Sequence, residues 1–183
     1  MTATAIARDP RQAIRTSSGQ LFWPLDAREA EIKLEDLAHA LSHLCRFVGH
    51  SRHFFSVAQH SVLVSRLCPA ADALWGLLHD GSEAYLGDVA RPIKYTVCFE
   101  SYRAAEAKLQ ALIYRRFGLT GPEPATVKAA DTLALHIELR DLVNSSDPAH
   151  AAAAAGAAAI VPHKPEVARH LFLERFTHLV NGK

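Results

Sequence analysis

The sequence predicts an all-α fold, and its composition and periodicity both support that prediction. Ala accounts for 32 of the 183 residues, whereas Gly and Pro occur only 9 times each. Ala is the best helix former, and Gly and Pro are the residues that most disfavour a helix interior. Apolar residues also recur at three- and four-residue steps, the period of one helix face. We therefore expect about six helices and almost no strand, in a chain with room for one domain.

Charge and cysteine usage narrow the class of protein. The 20 Lys and Arg residues nearly balance the 19 Asp and Glu residues, so the basic excess of a dedicated nucleic-acid binder is missing. Cys45, Cys68 and Cys98 are widely spaced and form no CxxC pair, which argues against a disulfide framework and fits a reducing compartment. The N-terminal residues do not resemble a signal peptide, and no apolar run has membrane-spanning length. These features predict a cytoplasmic protein without a membrane or nucleic-acid polymer as partner.

The chain divides into three predicted parts. Residues 1–15 lack periodicity and are expected to be flexible, and residues 16–145 are expected to form the domain. Residues 146–183 carry an Ala-rich stretch, predicted as a helix or a loose surface arm, and a last helix that packs on the same domain. Within RTSSGQLFWPLD, Ser18-Gly19 predicts a hairpin or an extended strap. Helices are predicted over Leu34 to Cys45, Val57 to Leu67, Ala73 to Asp80, 100–117, Val127 to Leu142 and Pro165 to Leu179.

The sequence contains 11 histidines, which is an unusual number for a chain of this composition, and a few of them lie at informative positions. His60 is flanked by Val57 and Val64 on the apolar face of its helix. The adjacent pair His79-Asp80 ends the apolar stretch LWGLLHD, and Asp131 lies among Ala and Leu residues. A buried carboxylate is costly unless it is paired or bound to a metal. Three helices thus each direct a potential metal ligand inwards; separate hydrogen-bonded core residues are the alternative.

Two glutamates lie at helical spacing from these candidates. Glu83 follows the first residue of the His-Asp pair by four positions, on the same face one turn on. A carboxylate there could hold or deprotonate a water, or protonate a leaving oxygen. Glu138 follows Asp131 by seven positions, two turns on. It could support the metal site, line the pocket, or pair with Arg140 or Lys128.

The order His … His-Asp … Asp resembles that of the HD-domain phosphohydrolase superfamily, which are helical metal-dependent phosphoesterases. LLHDGSEAYLGDVARPIKY is similar to the His-Asp-x-x-Glu … Gly-Asp … Pro-x-Lys signature of the 5′-deoxynucleotidase branch. FWPLD is similar to the Trp-Pro-Leu strap of that branch, and CRFVGHSRHFFSVAQHSVLV resembles an extended motif of bacterial and phage members. The resemblance runs from Leu21 to Val143. It implies a single HD-domain helical bundle with a short N-terminal strap or hairpin.

The resemblance also implies roles for particular residues. The implied ligands of one divalent transition metal ion (Mn, Fe, Co, Ni or Zn) are His60, His79, Asp80 and Asp131. Glu83 would position the attacking water, and Asp88 would be a second acid–base candidate near the leaving group. Lys94 would face the substrate phosphate, and Trp23 would pack against the sugar or base.

One position departs from the pattern of the branch. Arg often precedes the Trp-Pro pair there, positioned for phosphate, whereas this chain has Phe22. Phosphate recognition must then come from other basic residues in loops near the motifs, namely Arg46, Arg52, His53 and Arg91. Arg46 is the first choice among them, and solvated surface is the alternative for Arg52 and Arg91.

Together these observations predict an enzyme, a metal-dependent phosphohydrolase of small deoxynucleotides that releases nucleoside and phosphate. The close alternative is a deoxynucleoside triphosphohydrolase that releases triphosphate, which the residue at position 22 leaves open. The alternative from another class is a non-catalytic HD-like module that binds a nucleotide. The amphipathic and Ala-rich helices have no obvious outer partner, which suggests a homo-oligomer.

Overall fold

The computed structural model describes residues 8–143 and 145–182, and these residues are mostly helical. The α-helices are α1 (Leu34–His43), α2 (Val57–Leu67), α3 (Ala73–Leu78), α4 (Glu83–Leu86), α5 (Arg91–Lys94), α6 (Glu100–Arg116), α7 (Ala125–Leu142), α8 (Pro148–Ala153) and α9 (Pro165–Asn181). The predicted all-α class is confirmed. The described helices outnumber the six expected because α4, α5 and α8 are short pieces that lack a periodic apolar face long enough to recognise.

A small hairpin precedes the helices. Strand β1 (Ile14–Arg15) pairs antiparallel with β2 (Leu21–Phe22), so the hairpin alternative for this segment is the correct one. The turn between the strands is tied to α1 by Asp36, whose Oδ1 accepts hydrogen bonds from Ser17 Oγ (2.6 Å) and Ser18 N (2.7 Å). The hairpin is therefore fixed against the first helix through a buried carboxylate.

Two hydrophobic clusters hold the helices together. The larger one lies among α1, α2, α3, α7 and α9, and its buried members include Leu41, Val64, Leu77, Ala134 and Phe172. The smaller one joins the hairpin, α1, α4 and α6 through Phe22, Leu37, Tyr85, Leu109 and Ile113. Helices α2 and α3 approach closely at Gly76, where a Cβ atom would lie 2.7 Å from Cys68 Sγ and 3.2 Å from Ser65 Cα. This contact fixes the spacing of the two helices that carry His60 and precede His79.

The prediction that the third helix runs through His79 and Asp80 is wrong. Helix α3 ends at Leu78, and residues 79–82 form a tight turn before α4 begins at Glu83. In this turn Gly81 N donates to Leu78 O (2.9 Å) and Glu83 N donates to Asp80 O (3.1 Å). Such bonds between residues three apart wind the chain more tightly than an α-helix. Glu83 is therefore the first residue of a new helix.

Helix α6 braces this turn. A Cβ atom at Gly81 would lie 3.0 Å from Leu78 O and 3.1 Å from the side chain of Ile113, so a larger residue there would push against α6. The Gln110 side chain accepts a hydrogen bond from Ser82 N (2.9 Å) and donates one to Leu78 O (2.7 Å). One amide side chain thus satisfies backbone groups on both sides of the break, which a continuous helix would satisfy internally.

The Ala-rich segment is part helix and part clasped arm. After α8 it leaves the helical conformation, and its backbone is held by two neighbouring residues of α7. Arg140 donates to Ala154 O (2.8 Å) and Ala158 O (3.3 Å), while Asp141 accepts from Ile160 N (2.8 Å). The last helix, α9, then packs on α1 and α2. In the described part of the chain, no helix is both long and apolar enough to cross a membrane.

Candidate metal centre

Four side chains from three places in the fold converge on one point. His60 comes from α2, His79 and Asp80 from the turn after α3, and Asp131 from α7. His60 Nε2 lies 3.3 Å from His79 Nε2 and 3.3 Å from Asp131 Oδ1. Asp80 Oδ2 lies 3.1 Å from His79 Nε2 and 3.5 Å from His60 Nε2. The structure thus brings all four sequence-predicted ligands together, and the His60–His79–Asp131 group has a spacing that could hold a metal ion.

The two imidazole rings are held in the orientation that metal ligation requires. His60 Nδ1 lies 2.5 Å from Glu138 Oε1, and His79 Nδ1 lies 2.9 Å from Gly76 O. Carbonyl and carboxylate oxygens accept hydrogen bonds, so each Nδ1 carries a proton, and each Nε2 faces the cluster, where it can bind a metal ion or a second proton. Ligating histidines are typically fixed in this way by a carboxylate or a backbone carbonyl.

The carboxylates and imidazoles of the cluster favour a positive charge at its centre. Burial and Arg46 lower the pKa of His60, but Glu138 and Asp131 outweigh them and raise it to about 9. Burial alone would raise the pKa of Asp80 and of Asp131, yet the neighbouring His79 and His60 respectively hold both pKa values well below the ordinary range. Two lone pairs and two carboxylates can share one site if a cation or a proton lies between them. The donor set of imidazole nitrogen and carboxylate oxygen suits Mn, Fe, Co, Ni or Zn.

A cavity of about 570 Å³ opens beside this cluster. Its volume lies within the range of small-molecule sites, about 300–1,000 Å³. The charged side chains that line it are Arg46, Asp80, Glu83, Asp88, Arg91, Lys94, Lys128 and Asp131. Carboxylates and cations therefore share one concave surface, an arrangement suited to an anionic ligand that also contacts a metal ion.

Two carboxyl groups of the cavity are available for proton transfer. Glu83 is only 6% exposed, and among the described residues its Oε2 has no hydrogen-bond partner. Burial, Asp80 and Asp88 raise the pKa of Glu83 well above its ordinary value. Burial also raises the pKa of Asp88. Perturbed carboxyl groups in a cleft are characteristic of acid–base sites.

Two cations of the cavity are held by acidic partners. Lys94 Nζ lies 2.5 Å from Glu106 Oε1 of α6. Arg46 donates through Nε (3.2 Å) and Nη2 (2.8 Å) to Glu138 Oε2. Its Nη1 is 4.0 Å from Asp80 Oδ2. Both side chains thus keep fixed positions at the cavity wall.

The segment that carries Arg46 is strained. Phe47 and Val48 both have positive φ angles, 57° and 53°, in a region that residues other than glycine rarely adopt. Such residues cost about 1–3 kcal/mol each and persist where the surroundings enforce them. Here the segment is anchored by a hydrogen bond from Arg46 N to Phe55 O (2.9 Å), and both strained residues line the cavity.

Four positions considered in the sequence lie outside the cavity lining, namely Phe22, Trp23, Arg52 and His53. Phe22 is fully buried and stacks on Tyr85 with ring centroids 3.9 Å apart, so it serves the core. Trp23 donates from Nε1 to Asp9 O (2.8 Å), and its ring is covered by the Arg8 guanidinium. Arg52 is exposed and donates its backbone N–H to Leu142 O (2.7 Å). Substrate contacts by Trp23 and Arg52 stay predictions.

The structure adds site residues that the motifs did not indicate. Glu106 and Gln110 lie on α6, about one turn apart, and act through Lys94 and through the turn that holds the ligands. Lys128 donates to Asp131 Oδ2 (2.6 Å). Only Glu138 carried a signal, its spacing from Asp131, but its partners are His60 and Arg46 rather than Arg140 or Lys128.

Histidines outside the cluster form two further pairs in the described part of the chain. The His39 and His43 rings stack with centroids 4.3 Å apart on α1. His136 Nδ1 and His150 Nδ1 lie 3.0 Å apart, between α7 and α8. Chain folding therefore joins His136 and His150, which lie 14 positions apart in the sequence.

Comparison with known proteins places the chain in a family. It is 37% identical over 171 residues to the uncharacterized protein YfdR of Escherichia coli (strain K12). The matched region covers 91% of this chain and 94% of YfdR. The chain belongs to the YfdR family. An uncharacterized protein of Rhodobacter capsulatus is 34% identical over 146 residues, covering 73% of this chain and 74% of that protein. No protein-family model matches the sequence. Membership of the YfdR family does not name a reaction, so the function must be argued from the geometry.

Proposed function

We propose that the protein is an HD-domain, metal-dependent phosphohydrolase of small deoxynucleotides. The observation that carries the proposal is the convergence of His60, His79, Asp80 and Asp131 at the edge of a cavity lined by basic residues. The order of these residues along the chain is that of the HD superfamily. A nucleotide monophosphate has the charge and size that such a cavity can accommodate.

The four converging residues would hold one divalent cation, and each imidazole has the acceptor at Nδ1 that this role requires. A divalent cation, when bound, supplies charge neutralisation at phosphorus and lowers the pKa of water. Lys94 and Arg46 would hold the phosphate oxygens at the cavity wall, where positive charge stabilises the transferring group.

Glu83 would act on the attacking water. Its unpartnered Oε2 is buried at the cavity, where a water could donate a hydrogen bond to it. The water oxygen forms a bond to phosphorus, its proton passes to the Glu83 carboxylate, and the bond from phosphorus to the ester oxygen breaks. Asp88, on the same cavity wall, would deliver the proton that the departing alkoxide needs. The products are nucleoside and phosphate.

A substrate panel tests the proposal. Purified protein with added Mn²⁺ or Co²⁺ should release phosphate from deoxynucleoside monophosphates. Glu83→Gln should lower kcat by about 10²- to 10⁴-fold, the usual contribution of a positioned acid–base group. Glu35→Gln, at an exposed position of α1, is the matched control and should leave turnover unchanged.

Two other outcomes would contradict the proposal in different ways. Release of triphosphate from deoxynucleoside triphosphates, with inert monophosphates, would establish the triphosphohydrolase alternative. Nucleotide binding without turnover, equal in the wild type and Glu83→Gln, would establish the non-catalytic module.

A further inference from the structure

The carboxylate of Glu138 occupies a position between the metal centre and the cavity wall. It lies on α7, seven residues after Asp131, and its side chain is fully buried. Its two oxygens have different partners: Oε1 faces His60 Nδ1 at 2.5 Å, and Oε2 accepts two hydrogen bonds from Arg46. A buried carboxylate is tolerated when both oxygens are satisfied in this way.

The two partners make different demands on Glu138. Arg46 is an obligate donor, because a guanidinium carries no acceptor and stays charged. His60 has no such fixed role, because a neutral imidazole can carry its proton on either nitrogen. Because the two oxygens of Glu138 face different partners, the carboxylate can serve Arg46 and also keep the proton of His60 on Nδ1. Nε2 of His60 then keeps its lone pair towards His79 and Asp131.

We propose that Arg46, Glu138 and His60 form a tautomer lock, in which Glu138 is a positioning residue that keeps His60 in its metal-ligating form. The inference rests on the metal centre of the proposed function but not on hydrolysis. A glutamine at position 138 would have one acceptor oxygen, which Arg46 would take. The glutamine NH₂ would then face His60 Nδ1 and move the imidazole proton to Nε2, where it blocks ligation.

The lock predicts that a second substitution restores Co²⁺ binding, which a simple loss of packing would not predict. Glu138→Gln should weaken Co²⁺ binding by about 10- to 100-fold, the usual cost of removing a group that orients a metal ligand. Removing Arg46 from that variant should restore binding, because the glutamine oxygen is then free to accept from His60 Nδ1. Arg46→Met alone should weaken Co²⁺ binding less than Glu138→Gln does, since Glu138 keeps its contact with His60.

The experiment is a titration of metal-free protein with Co²⁺ alone, followed by calorimetry, on the wild type, Glu138→Gln, Arg46→Met and the double variant. Glu35→Gln is the control for charge. Recovery of affinity in the double variant supports the lock and excludes misfolding as the cause of the loss. Wild-type affinity in Glu138→Gln, or a double variant no better than Glu138→Gln, overturns it. Wild-type protein that binds no Co²⁺ overturns both the lock and the metal centre.

The lock and the proposed hydrolysis can fail separately. If Co²⁺ binds and follows the order expected for the variants, while no nucleotide is hydrolysed, the lock stands and the phosphohydrolase proposal falls. If nucleotides are hydrolysed but Glu138→Gln binds Co²⁺ normally, the phosphohydrolase proposal stands and the lock falls.

Discussion

The side chain of Lys94 is held at the cavity by Glu106, a residue outside every motif in the sequence. The pair is half-way between a surface ion pair and a buried one, since each side chain is less than one-fifth exposed. A lysine restrained in this way loses little conformational freedom when an anion binds. In the proposed function, Glu106 would therefore affect phosphate binding only through Lys94.

Replacing this lysine tests its role. Lys94→Met should lower kcat/KM for a nucleotide by about 10- to 100-fold, because hydrogen bonds to charged groups are worth about 1.5–3 kcal/mol. Glu106→Gln should give a smaller loss in the same assay, since it frees the ammonium without removing it. Lys108→Met, at an exposed position of α6, is the control. Equal kcat/KM for Lys94→Met and Lys108→Met would remove Lys94 from the site.

Asp36 offers a second test at the residue scale, through pH. Burial alone would raise the pKa of Asp36, but hydrogen bonds from Ser17 and Ser18 outweigh it and hold that pKa below its ordinary value. A carboxylate with a lowered folded-state pKa contributes stability above its unfolded value of about 3.9, and loses that contribution as pH falls through the folded value. Asp36→Asn should therefore lower the free energy of unfolding by about 1–3 kcal/mol at neutral pH.

The measurement is denaturant unfolding of the wild type and Asp36→Asn at several pH values. The difference between them should shrink below about pH 4, since protonation then removes the same charge from the wild type. A difference that stays constant down to pH 3 would show that the hairpin does not depend on this charge.

At the scale of the element, the break between α3 and α4 separates what the sequence could predict from what it could not. Apolar periodicity located α1, α2, α7 and α9 to within a few residues, because each has a long face to bury. The break after Leu78 depends on the packing of Gly81 and Gln110 against α6, contacts between residues about 30 positions apart. Such contacts leave no local pattern.

The same distinction applies to the candidate site. His60, His79, Asp80 and Asp131 could be predicted because apolar neighbours direct them inwards. Glu106 could not, because the i, i+3 and i, i+4 neighbours of a residue say nothing about a partner on another helix. Phe22 departs from the pattern of the branch in the sequence, and the structure places it in the core against Tyr85 rather than at the cavity.

The brace on the turn gives a prediction for this element. Gln110→Ala removes two hydrogen bonds to backbone groups of the turn, and should lower the free energy of unfolding by about 1–3 kcal/mol. Because His79 and Asp80 lie in that turn, Co²⁺ affinity should fall as well. Gln12→Ala, at an exposed position, is the matched control. A variant that loses stability but keeps full Co²⁺ affinity would show that the turn keeps its shape without the brace.

At the scale of the whole molecule, the candidate metal centre joins α2, the turn after α3 and α7, so a bound ion would link three separate parts of the chain. A ligand that binds only the folded state adds about 2.7 kcal/mol of stability at 100 times its Kd. For a chain of this size each kcal/mol raises Tm by about 2–4 °C.

Thermal unfolding with and without Co²⁺ should therefore show a rise in Tm for the wild type that a chelator reverses. His79→Ala should lose this rise, whereas His170→Ala, at an exposed position on α9, should keep it. A rise that persists in His79→Ala would place the stabilising ion somewhere else.

The clasp that Arg140 and Asp141 place on the Ala-rich segment has a consequence for proteolysis. A chain of small residues after a short helix is normally a preferred cleavage site for proteases such as elastase, which cut next to alanine. Here three carbonyls and one amide of that segment are engaged by α7. Cleavage within residues 154–160 would require the clasp to open first, so its rate would report the opening of this arm rather than the composition of the sequence.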